Sequence, residues 1–202
     1  LSSRGIAPMG SQTLLEDAER QLRAAAGNDR PQFLARGLAA LARAYLLRGD
    51  GARCERLLNE SKSLGAGDPL QAARTNAILA ELLNLRGRPA EAERLVSDGL
   101  GVISTGEGPD VALVRLDLLQ QYARSRRAQG DSDGTIAILD EAVNSARALD
   151  GKAVPVLAEL LSQRGDIYSD LNHVDEAEAD LRAALALLDE HSPAIRNRVR
   201  RS

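Results

Sequence analysis

VLAELLSQRGDIYSDLNHVDEAEADLRAALALL, residues 156–188, splits into two helical halves around a single asparagine. In the first half Leu161, Gly165 and Tyr168 follow one another at steps of four and three. In the second, Ala177, Leu181 and Ala184 do the same. Steps of that size stack side chains on one face of a helix, so each half predicts an amphipathic α-helix. Asn172 stands between them as a turn residue, and Pro155 and Pro193 bound the pair.

The same pattern extends toward the N-terminus. Pro31, Pro69, Pro109, Pro155 and Pro193 are separated by 38, 40, 46 and 38 residues. Between them fall Gly49, Gly87, Gly130 and Asn172. Each interval predicts a helical hairpin turned at the glycine or asparagine and closed by the proline. A fixed period of this length points to a stack of such hairpins. The pairs are read as Phe33–Arg48 with Ala52–Leu64, Gln71–Arg86 with Pro89–Leu100, Val111–Gln129 with Asp133–Leu149, and Val156–Leu171 with Val174–Leu188. Asp131, Ser132 and Asp133 are N-cap candidates, and Asp175 and Glu176 suit the positive end of a helix dipole.

Composition agrees. Hydrophobic residues make up 44% and aromatics 2%, with no Trp, so Ala and Leu must fill the core. Both are strong helix formers. A net charge of −3 gives no global field for nucleic acid or anionic membrane. No apolar run is long enough to span a bilayer. Cys54 is the only cysteine, which excludes an internal disulfide and fits a reducing, cytoplasmic compartment. Lys62 and Lys152 are the only lysines against a large majority of arginine, as a GC-rich bacterial genome would favour.

Quoted by position, these residues resemble the tetratricopeptide repeat family over Thr13 to Glu190. The fourth repeat supplies Leu161, Gly165, Tyr168, Ala177, Leu181 and Ala184. The first supplies Leu38, Leu41, Ala42, Tyr45, Cys54, Leu58 and Ser61. The second supplies Leu79, Ala80, Leu83, Ala92, Val96 and Gly99, with polar Asn76 at a normally bulky position. The third supplies Leu119, Ala123, Leu139 and Ala142, with Arg126 replacing tyrosine and Thr135 replacing alanine. Cys54, Gly99 and Thr135 keep the small size that a close helix crossing requires. The period exceeds the family's usual length of about 34 residues. In this it is similar to the long repeats of bacterial signalling proteins and kinesin light chains.

The resemblance implies an all-α, right-handed superhelical solenoid of four full repeats with partial repeats at both ends. Residues 1–12 are expected to be a leader, and 13–202 a single repeat domain. Thr13–Ala26 reads as a second helix without its first, with Leu14, Leu15, Ala18, Leu22 and Ala25 on one stripe. After Pro193, AIRNRVRRS reads as the opening of a further first helix, whose Ile195 and Val199 should lie over Val174–Leu188. Arrays cut in this way are expected to self-associate through their ends.

No phosphate-binding glycine loop, nucleophile elbow or metal-ligand spacing is present, and the acidic residues fall at helix-surface positions, so a non-enzyme without cofactor is expected. His173 and His191 lie near helix ends. Cys54 sits at a helix crossing, where a buried packing role is expected. Arg-Gly-Asp occurs at Arg48–Asp50, in a turn, and at Arg164–Asp166, inside a helix, and neither context suggests adhesion.

The resemblance further implies that the first helices line a ligand-binding inner face. Its positions would hold Arg36 and Arg43, then Arg74, Glu81 and Asn84, then Gln120, Arg124 and Arg127, and finally Ser162, Asp166 and Ser169. Arginine recurs in three successive repeats, and its planar fork binds carboxylates bidentately. A scaffold for a protein or peptide of acidic character, within a larger signalling protein, is the leading reading. The alternatives are a ligand-sensing domain of a transcription regulator or kinase, and a self-association module. The arginines at 196, 198, 200 and 201 are expected to form the polar face of the last helix.

Overall fold

A computed structural model of the 202-residue chain describes residues 9–27, 29–149, 151 and 153–191, with side chains from 13 to 189 within those spans. The expected contacts of Ile195 and Val199, the cluster from Arg196 to Arg201, the leader before Met9 and the His191 side chain lie outside the described residues. Every regular element among the described residues is helical. The chain divides into two compact units, Leu1–Ser104 and Thr105–Ser202.

The first unit contains α1 (Met9–Ala26), α2 (Pro31–Leu47), α3 (Gly51–Leu64), α4 (Pro69–Leu85) and α5 (Pro89–Val102). α2 pairs with α3 and α4 with α5, while α4 also packs on α2 and α3. α1 lies against α2, where Gly37 leaves room for Leu22 that a Cβ would remove. The core gathers Leu38, Ala42, Tyr45, Cys54, Leu57, Leu58, Ile78 and Leu82, with Leu15 and Leu22 of α1 partly buried against it. Leu14, by contrast, is 66% exposed, so α1 docks while leaving part of its apolar stripe uncovered, as its pattern predicts.

The second unit contains α6 (Pro109–Ala128), α7 (Ser132–Arg147), α8 (Val154–Asp170) and α9 (Val174–His191). α6 pairs with α7 and α8 with α9, and α7 packs on α8.

One turn is used four times. Gly49 N–H donates to Leu46 O and Asp50 N–H to Tyr45 O. The same two bonds recur at Gly87 and Arg88, at Gly130 and Asp131, and at Asn172 and His173. This pairing, with a left-handed residue just beyond the helix end, satisfies two otherwise orphaned carbonyls. Asn172, at φ 61°, is the one non-glycine residue with positive φ among those described.

The prolines play a different part from the one expected of them. Among the described residues they open helices rather than closing pairs: Pro31, Pro69 and Pro109 are first residues and Pro155 a second, while Pro89 opens α5 where its pattern puts it. The first turn has no carbonyl to receive an N–H, so proline's missing donor costs nothing there. Consequently α2, α4, α6 and α8 each start two residues earlier than the hydrophobic pattern alone indicates. Asp50, Asp68 and Asp131 accept backbone N–H bonds at the starts of α3, α4 and α7. Small residues stand where paired helices cross: Ala42, Cys54, Ala80, Ala92, Ala123, Thr135 and Ala177 are buried. At Gly165 a Cβ would meet Leu181 Cγ at 3.0 Å.

Candidate binding face

Within each unit some of the inner-face candidates reach across to the next first helix. In the first unit Arg43 of α2 reaches Glu81 of α4, Nε to Oε2 at 3.5 Å. Glu81 is only 9% exposed. Arg74 donates to Gln71 Oε1 at 3.2 Å. Gln71 in turn joins a buried network in which its amide donates to Ala35 O and to Ser61 Oγ, and Ser61 Oγ donates to Ala35 O. That network ties α2, α3 and α4 together. Arg36 is exposed and Asn84 half-buried.

In the second unit Arg124 Nη2 of α6 donates to Glu159 Oε1 of α8 at 2.7 Å. One turn further along, Arg127 Nη2 donates to Asp170 Oδ2, also at 2.7 Å. Both arginines line a cavity of about 130 Å³ whose other walls include Ala123, Thr135, Leu139, Gln163 and Ile167. Gln120 is buried and Asp166 exposed. Arg43, Arg124 and Arg127 are therefore held by carboxylates supplied by the next first helix, whereas Arg74 bonds within its own helix. Sequence spacing does not reveal this, because the partners lie 38, 35 and 43 positions away.

Sequence reading also missed a second set of charges. Arg164 of α8 donates to both oxygens of Asp180 in α9, at 2.6 and 2.7 Å, and to Asp140 of α7. Its guanidinium lies 5.9 Å from the Tyr168 ring centroid. Hydrogen bonding to Asp180 holds the Arg164 pKa above its ordinary value, against the opposing effect of burial. Asp180 and Glu81 thus correct the expectation that acidic residues all sit on helix surfaces; each is buried because an arginine accompanies it. Analogous stacking joins Arg53 to Tyr45 and Arg126 to Tyr122. The arginine that replaces tyrosine in the third repeat therefore still meets an aromatic ring, one turn earlier. In α1, Arg23 bridges Glu19 and Glu60, and the bond from Arg23 holds the Glu60 carboxyl below its ordinary range.

Cys54 is fully buried, and desolvation pushes its thiol up to about 11. A thiol so shielded and so seldom ionised is unreactive. His173 stacks on Tyr168 at 6.1 Å in the α8–α9 turn. Among the described residues no group of three or more His, Cys, Asp and Glu stands ready to hold a metal, and no helix is long and apolar enough to cross a membrane.

No family model matches the sequence, and no curated protein does. Solved structures do resemble this one. BtubC (BKLC) from P. vanneervenii superposes with a TM-score of 0.72 at 20% identity, over 93% of this chain and 76% of that one. The nearly identical TPR-like repeats of a Podosopora anserina putative kinesin light chain give 0.58 at 20% identity, over 89% and 87%. MamA gives 0.55 at 15% identity, over 92% and 97%. Repeated hairpins, small residues at their crossings, one turn used four times and these likenesses together establish an all-α fold of the tetratricopeptide-like repeat type.

Proposed function

We propose that the chain is a non-enzymatic scaffold that binds an acidic protein or peptide segment through its first helices, as a cytoplasmic interaction module of a larger bacterial signalling protein. The observation that carries this reading is the pair Arg124 and Arg127, one turn apart on the wall of a single small cavity. Their present partners are readily released. Glu159 and Asp170 are 50% and 67% exposed, so they rehydrate at little cost when a ligand carboxylate takes their place. Arg43 behaves differently, since its partner Glu81 is buried and does not rehydrate so readily.

An array of Asp- and Glu-rich peptides beside their Asn- and Gln-containing counterparts tests the reading. The protein should retain the acidic set, and the double substitution Arg124→Ala with Arg127→Ala should abolish that preference with helicity intact. Equal retention of acidic and neutral peptides, or undiminished binding by the double variant, refutes it.

A further inference from the structure

α8 and α9 leave an apolar trough open along one side of their hairpin. Pro155, Ala158, Leu181, Ala184, Leu185 and Leu188 line a cavity there of about 480 Å³. Leu185 and Leu188 are 61% and 52% exposed, an unusual state for two leucines on neighbouring positions of one face.

The molecule itself shows what fills such a place. In the first unit the equivalent side of the α2–α3 hairpin is covered by the next first helix, α4, which packs on both. In α4 and α8 the second and sixth residues after the proline are buried: Gln71 and Thr75 after Pro69, Leu157 and Leu161 after Pro155. Pro193 follows Pro155 by 38 residues, the interval that separates Pro31 from Pro69, and its second and sixth followers are Ile195 and Val199. Charge complements the shape. Residues 154–191 carry nine carboxylates and two arginines, whereas residues 192–202 carry four arginines and no carboxylate. Glu159 stands on the trough's rim.

We propose that the trough is a docking surface for residues 193–202 of the same chain, with Ile195 and Val199 seated among Leu181, Leu185 and Leu188. The arginines at 196, 198, 200 and 201 then lie against the acidic hairpin, as opposite charges brought to one surface attract. A second copy of the chain and a foreign helix are the competing occupants.

Paired cysteines distinguish them. Leu185→Cys with Ile195→Cys, oxidised at low protein concentration with buried Cys54 left in place, should form an intrachain disulfide whose yield is unchanged on dilution. A disulfide between chains would assign the trough to a second copy, and no disulfide would leave it to a foreign partner or to solvent; either result overturns the proposal. An independent arm uses Ile195→Asp with Val199→Asp. Fluorescence of an apolar-surface dye should rise severalfold and amide exchange in α9 should quicken, with far-ultraviolet circular dichroism unchanged. Unaltered dye binding and exchange would equally overturn it.

Discussion

Gly49, Gly87, Gly130 and Asn172 have φ of 79°, 70°, 80° and 61°, and around Gly49 nothing approaches within 4 Å of a would-be Cβ. Substitution at Gly49 thus isolates backbone strain from any clash. Gly49→Ala should destabilise the protein by about 1–2 kcal/mol, the cost of a left-handed L-residue. Asn172→Gly should stay close to the parent, while Asn172→Ala should lose about 1 kcal/mol, because asparagine tolerates this conformation better than alanine. Denaturant midpoints for the three variants check the ordering. An alanine as well tolerated at 49 as glycine would show that the turn can relax. Asn172 was legible in the sequence as a turn residue because it keeps the rhythm of the glycines. Its left-handed conformation follows from the same place in the repeat.

At the scale of helices, propensity and period sufficed to locate nine elements among the described residues, but not to assign the first turns of α2, α4, α6 and α8. A proline before an amphipathic run reads equally as an end or a beginning; only the hydrogen-bond register decides. Lateral ion pairs were less legible still. They join helices far apart in sequence, and their registry depends on how deeply small residues such as Ala42 and Gly165 let the helices approach. One such tie is sensitive to acid. Glu60 of α3 is held below its ordinary value near 4.5 by Arg23 of α1. A lowered carboxyl stabilises the folded state above its unfolded pKa, and that contribution is lost as pH falls through the folded value. The stability gap between the parent and Glu60→Gln should therefore be constant above about pH 5.5 and close progressively below about pH 4.5. A gap that widens on acidification would mean that Glu60 acts through something other than its bond to Arg23.

For the whole molecule, the core of the first unit is self-contained: Leu38, Tyr45, Leu57, Leu58, Ile78 and Leu82 come from three consecutive helices, and α1 adds Leu15 and Leu22. Repeat proteins draw stability from such neighbour contacts. Residues 1–104 expressed alone should remain helical and unfold cooperatively on heating. A disordered fragment by circular dichroism would show that the division of contacts is not a division of stability. The repeat architecture was legible because it is periodic, and periodicity survives the loss of any single signature residue. The proposed binding face was legible only as a list of positions, since its chemistry depends on which charges already hold one another.

On the proposed reading, those internal pairs turn recognition into an exchange reaction. When a ligand carboxylate displaces Glu159 from Arg124 or Asp170 from Arg127, one ion pair is broken for each one made. The count of ion pairs is conserved, so added electrolyte weakens both sides of the equilibrium alike. An open basic patch would instead lose affinity steeply as salt screens it. Binding of an acidic peptide should accordingly change little between about 0.05 and 0.5 M sodium chloride, a range over which the Debye length falls from roughly 14 to 4 Å. Isothermal titration across that range would reveal the difference. A steep loss of affinity would mean that the two arginines meet their ligand unpaired. Exchange keeps the arginines' preference for carboxylates while sparing affinity from salt, so the proposed scaffold would hold its partner even where ionic strength drifts.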